Sequence, residues 1–317
     1  MVLILDLIAQ GAQMMLVLIL APLLLGYTRK LKARLLRRQG PPVLQPYRDL
    51  LRLIRKEAVL AENASWLFRS APYLIFAATW VAAALVPTFA VQLQFSWTAD
   101  LIALTALIGS SRFFLALVGM DVGTSFGGIG SSREMMFASL AEPAMIMIVF
   151  TLALLAGSTQ LSVIAEFMQT HASLRVSLGL ALIALVIVAL AENARIPIDN
   201  PATHLELTMV HEAMVLEYSA RHLAVLEFAA ALKLLLYLSL IACIFMPWGL
   251  ALAGGGLEAY AIGFVSYLGK LAVGGFLLAL FETSIAKMRV FRVPDFLGIA
   301  LMLGLLGMLL LFVSRSF

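Results

Sequence analysis

Eight long apolar stretches dictate the fold class of this 317-residue chain before any motif is considered. They fall near 2–26, 71–93, 99–120, 135–157, 174–193, 223–248, 258–282 and 294–313. Crossing about 30 Å of hydrocarbon takes about 20 helical residues, and each stretch approaches or exceeds that length. With 62% hydrophobic and 13% charged residues, the composition excludes an ordinary soluble domain. The expectation is an all-α integral membrane fold: a single polytopic domain over 1–317 with about eight transmembrane helices. The first stretch carries Asp6, Gln10 and Gln13, has no basic leader and outruns a signal-peptide core, so it is expected to be retained.

Lys and Arg set the orientation, because basic loops stay on the cytoplasmic side. The segment 28–69 holds eleven of the 22 basic residues. Counting spans from there places the loops near 121–134, 194–222 and 283–293 on the same side and both termini outside, in a cell inner (plasma) membrane. The net charge of +4 then follows from topology, with no nucleic-acid partner needed.

Within the first basic loop, Tyr47, Leu50, Leu51, Ile54 and Ala58 repeat at helical spacing, with Arg48, Arg52, Arg55 and Lys56 on the remaining faces. This predicts an amphipathic helix at the inner surface, over about 43–60. It could anchor to lipid, dock a cytoplasmic partner, or do both.

Several chemistries are disfavoured. The glycines 123, 127, 128 and 130 do not form a phosphate loop, since Ile129 stands where Lys is required. His211 and Glu212 begin a zinc-protease pair, but Val215 occupies the place of the second His. The four histidines lack Cys neighbours at ligand spacing, so no metal is assigned. Cys243, the only cysteine, cannot by itself hold an iron–sulfur cluster.

What remains is charge inside the spans: Glu142, Glu192, Glu227, Lys233, Lys270 and Glu282. Such residues are expected to face the bundle interior or a water-filled cavity and to mark ion pathways. Glu142 and Glu227, deeper in their spans, are expected to carry protons, with Lys233 as a neighbouring polar step. Glu192 and Glu282 are expected to be hydrated near the inner interface. Asp199, Glu206, Glu212 and Glu217 follow in the loop 194–222, interleaved with Leu207, Met209, Val210, Met214 and Leu216. That alternation predicts an acidic vestibule buried against something, such as a partner subunit.

Four segments resemble the membrane subunit shared by complex I (its subunit 1, or H) and group 4 membrane-bound nickel–iron hydrogenases. These are Leu44-Gln45-Pro46 with Asp49, Arg52 and Lys56-Glu57; Gly128 through Arg133 to Glu142; Ala191-Glu192-Asn193 with Arg195, Pro197, Asp199, Pro201, Glu206-Leu207 and Glu217-Tyr218-Ser219; and, more loosely, Arg292 to Asp295. The stretch between Glu206 and Glu217 is four residues longer than the complex I pattern and resembles the formate hydrogenlyase and hydrogenase-4 branch. A shortened RRQGPPVLQP loop argues against quinone binding.

The resemblance implies a subunit that couples redox turnover to ion movement and is not itself catalytic. Its expected partners are hydrogenase large and small subunits, ferredoxin-like iron–sulfur subunits and antiporter-like membrane subunits. The nickel–iron centre and iron–sulfur clusters would lie in those partners, with no cofactor on this chain. The expected coupling residues are Glu142, Glu192, Asp199, Glu206, Glu217, Glu227 and Lys233. Gln45, Pro46, Asp49, Arg52, Lys56, Arg133 and Arg195 are expected to dock partners. The alternative is the quinone-site and proton-path subunit of a complex I type NADH:quinone oxidoreductase, and a stand-alone transporter is a third reading, weakened by the lack of an inverted repeat.

Overall fold

A computed structural model describes residues 2–61, 63–93, 96–170, 175–195, 210–252, 256–285 and 292–316. The chain runs up and down through α1 (Val2–Leu35), α3 (Trp66–Leu85), α4 (Leu101–Asp121), α5 (Ser125–Ala156), α7 (Val176–Glu192), α9 (Ala220–Phe245), α10 (Gly256–Ser284) and α11 (Val293–Ser316). Seven of these are long and apolar enough to cross a membrane. The eighth, α7, has 17 residues and spans about 26 Å at 1.5 Å per residue. Short helices lie at the two ends: α2 (Gln45–Ile54) and α8 (His211–Val215) at one, α6 (Leu161–Thr170) at the other. The α6 end also carries two-residue strands, β1 (Ala90–Val91) and β2 (Ala251–Leu252), paired in parallel.

Helix α2 occupies the middle of the expected amphipathic segment and stops at Ile54, so Lys56 lies beyond it. Leu51 and Ile54 remain more than half exposed. Helix α5 begins ten residues before the expected span, because the glycine-containing segment is helical, capped at its start by the Thr124 hydroxyl, which accepts from Gly127 N–H. Small residues on this first stretch let α4 and α8 approach closely.

Helix α5 packs against α11, α4 and α7; α3 joins α4 to α9; and α1 lies against α9 and α10. Among the largest fully buried side chains are Tyr237 and Leu232 of α9 and Tyr267 of α10. Tyr267 and Ser239 share a buried 2.7 Å hydrogen bond. At the start of α3, the Ser65 hydroxyl accepts from Leu67 N–H, and Ser65 N–H donates to Asp121 at the end of α4. The interior is therefore fixed on the α2/α8 side as well as in mid-bundle.

Candidate functional site

Four charged side chains from four helices form an unbroken chain inside the bundle. Arg112 of α4 donates from Nε to Glu134 Oε1 of α5 at 2.7 Å, and its Nη2 lies 2.7 Å from Glu192 Oε1 at the end of α7. The other Glu192 oxygen lies 2.6 Å from Lys233 Nζ of α9. The side chains of Arg112 and Glu192 are each only 4% exposed. Burying a charge costs several kcal/mol unless it is paired, and here negative and positive groups alternate. Glu192 thus departs from the expected hydration near the interface: Arg112 and Lys233 seal it from both sides. Glu282 departs in the same way, holding Lys32 at 2.8 Å and Arg195 at 3.2 Å with 8% of its side chain exposed. Arg195, expected as a docking group, is turned toward this carboxylate; burial pushes its guanidinium below its ordinary value and Glu282 opposes that shift.

The chain forms part of the wall of a cavity of about 630 Å³. Arg29 of α1, Pro46 and Asp49 of α2, His211 and Glu212 of α8, and Glu227 of α9 line the same space. Glu227 is accordingly exposed to a cavity, as its cost in lipid requires.

Beyond Arg112, a pocket of about 10 Å³ is lined by Thr105, Glu142, Glu192 and Tyr237, a space of the order of one water molecule. Arg112 Nη1 is buried and has no partner among the described residues. Glu142 reaches this pocket from one side while remaining exposed on the flank of the bundle. Its carboxylate lies over Gly109, where a Cβ would stand 3.4 Å from Oε1. Glu142 is therefore only partly an interior residue.

Helix α8 is placed by contacts on both sides. Tyr218 stacks on Phe68 with ring centroids 4.0 Å apart and donates to the Phe68 carbonyl at 2.9 Å; burial pushes its phenol pKa upward. The Ser219 hydroxyl donates to Val59 O and accepts from Val59 N–H. Against α4 and α5, α8 sits so close that a Cβ on Gly130 would fall 2.9 Å from Val210 O, and one on Gly119 2.9 Å from Met214 Cγ. Burial lowers the pKa of His211 below its usual 6.5.

The remaining expected residues are dispersed. Gln45 donates to Asp49 Oδ1 at 3.0 Å, and Arg52 reaches the same atom at 3.5 Å. Arg52 and Lys56 are exposed, Pro46 is buried, and Glu217 and Arg133 are half-buried. Asp199 and Glu206 lie outside the described residues. Sequence reasoning missed Arg112 as the partner of Glu192, and Glu134 as the second carboxylate that Arg112 holds. The available signal was an arginine in the middle of an apolar span, which needs a buried carboxylate. Among the described residues no group of three or more His, Cys, Asp or Glu could hold a metal ion.

Comparison with known proteins adds an independent line. The family described as NADH dehydrogenase matches residues 9–313. Formate hydrogenlyase subunit 4 of Escherichia coli is 36% identical over 86% of this chain and 88% of its own length. Hydrogenase-4 component C of the same organism is 34% identical over 76% and 75%, and NADH-ubiquinone oxidoreductase chain 1 of Triticum aestivum 28% over 72% and 73%. In the solved structure of the membrane-bound sulfane sulfur reductase, an archaeal respiratory membrane complex, one chain superposes with a TM-score of 0.74 at 20% identity, covering 96% of this chain and 99% of that one. That last likeness is one of fold.

Proposed function

Since the chain belongs to the NADH dehydrogenase family of membrane subunits, with formate hydrogenlyase and hydrogenase-4 subunits as its 36% and 34% relatives, we propose that it anchors an energy-converting nickel–iron hydrogenase and couples its turnover to ion movement. The observation that carries this reading is the Glu134–Arg112–Glu192–Lys233 chain, set between an open cavity and Glu142 on the flank. The large and small hydrogenase subunits and ferredoxin-like iron–sulfur subunits would dock at the α2/α8 end, against Arg52, Lys56 and the acidic loop with Asp199, Glu206 and Glu217. An antiporter-like subunit would cover Glu142. That end would face the cytoplasm from the inner membrane, with both termini outside.

Redox turnover in the docked arm changes charge near the cavity, and the alternating ion pairs pass the change on by shifting protons toward Glu142. Moving one charge across 100 mV takes about 2.3 kcal/mol, and a pKa change of one unit is worth about 1.4 kcal/mol. Shifts of one or two units therefore match the work. The cavity volume, within the roughly 300–1,000 Å³ usual for small-molecule sites, favours a second reading, a quinone-site subunit of the complex I kind.

Purification of the native complex through this chain, followed by assay of nickel and of hydrogen evolution, separates the two. Nickel with hydrogen evolution is expected. Quinone reductase activity without nickel would move the chain to the complex I kind.

A further inference from the structure

His211 belongs to the stretch that departs from the complex I pattern, and nothing in the function proposed above uses it. It opens α8, whose close approach to Gly119 and Gly130 gives it little room to move. His211 lines the cavity together with Glu134, Arg112, Glu192 and Lys233. The charges acting on it come from every side: Glu134 on α5, Arg112 on α4, Lys233 on α9 and Glu212 on its own helix, with Arg29, Asp49 and Glu227 around the same space. Of the titratable side chains on this wall, histidine alone changes charge near neutral pH without perturbation.

We propose that His211 is the proton-exchange group through which cavity water loads the buried ion-pair chain. This rests on the coupling function proposed above. A ring nitrogen takes a proton from a hydronium ion in the cavity, leaving water, and the imidazolium then gives one proton to the Glu134 carboxylate. The ring returns to neutral, and one proton has moved with no change of redox state. Burial favours the neutral ring. Protonation of Glu134 weakens its hold on Arg112 Nε and leaves Glu192, 2.7 Å from Nη2, as the charged carboxylate in contact with the guanidinium. A structural histidine would need no such access to the cavity.

The test uses the purified native complex in proteoliposomes, with proton uptake and hydrogen evolution measured together. His211→Ala keeps the helix and opens space for added free imidazole; His211→Gln keeps a polar side chain of similar size without the titration. Both variants are expected to move at least about tenfold fewer protons per hydrogen evolved than the wild type, general acid–base groups being worth about 10²–10⁴. Imidazole should restore translocation in His211→Ala and leave His211→Gln unchanged. Wild-type translocation in His211→Gln, or a loss in His211→Ala that imidazole does not repair, overturns the proposal. Failure of both variants to assemble would make the residue structural and overturn it equally. A wild-type complex that evolves hydrogen without moving protons would instead overturn the coupling function itself, and this assignment with it.

Discussion

Arg112 holds two carboxylates at once, Glu134 through Nε and Glu192 through Nη2. Replacing it by methionine preserves much of the side-chain volume and leaves Glu134 buried with no ion-pair partner among the described residues. Breaking one side of a buried pair costs about 3–5 kcal/mol, so Arg112→Met is expected to lower the melting temperature of the detergent-solubilised complex. Adding Glu134→Gln should return part of the loss, because the stranded carboxylate is then gone. Equal melting of the single variant and wild type would mean that the pairs contribute nothing net. At this scale the sequence was half legible. Glu192 and Lys233 stood out as charges within apolar runs, but their partner could not be read. Glu134 sits at the edge of a span, where a carboxylate looks solvated, and which carboxylates Arg112 holds is fixed only when α4, α5 and α7 meet.

Helix α8 shows why the elements were harder to read than the spans. Five residues carry no periodicity, and α8 stays in place through Tyr218 on Phe68 and through two glycines on neighbouring helices. The glycines 127, 128 and 130 suggested a loop, yet the segment is helical because packing overrides intrinsic propensity. Their roles differ, and substitution can show it. A Cβ on Gly128 meets nothing within 4 Å, whereas one on Gly130 meets Val210 O at 2.9 Å and Ala213 Cβ at 3.0 Å. Gly128→Ala is expected to stabilise α5 by about 0.5–1 kcal/mol, the usual gain for glycine to alanine within a helix. Gly130→Val should push α8 outward at a cost of about 1–3 kcal/mol, as overpacking does. Hydrogen exchange over 210–216 would report the difference: faster in Gly130→Val, unchanged in Gly128→Ala. Equal protection in both would mean that α8 is held by Tyr218 and Ser219 alone.

Over the whole molecule, the eight apolar runs were legible because hydrocarbon imposes a length and a composition on every crossing. The ion-pair chain between the cavity and the small pocket at Glu142 was not, since it depends on which helices are neighbours. Sidedness follows from the same asymmetry that marks the first long loop: eleven of the 22 basic residues lie within 28–69, at the end that carries α2 and the cavity mouth. Moving that many cations outward during insertion is opposed at each of them. The α2 end is therefore expected to face the cytoplasm and the β1–β2 end the exterior. The chain suits a labelling test, because its one cysteine, Cys243, is buried. In a Cys243→Ser background, Gln39→Cys would report the loop between α1 and α2, where Gln39 is exposed. Trp97→Cys would report the opposite end, where Trp97 is 70% exposed. An impermeant maleimide added to intact spheroplasts should label position 97 and should reach position 39 only after permeabilisation. The reverse pattern would invert the molecule in the membrane, open its cavity to the exterior and leave a cytoplasmic hydrogenase arm without a docking end.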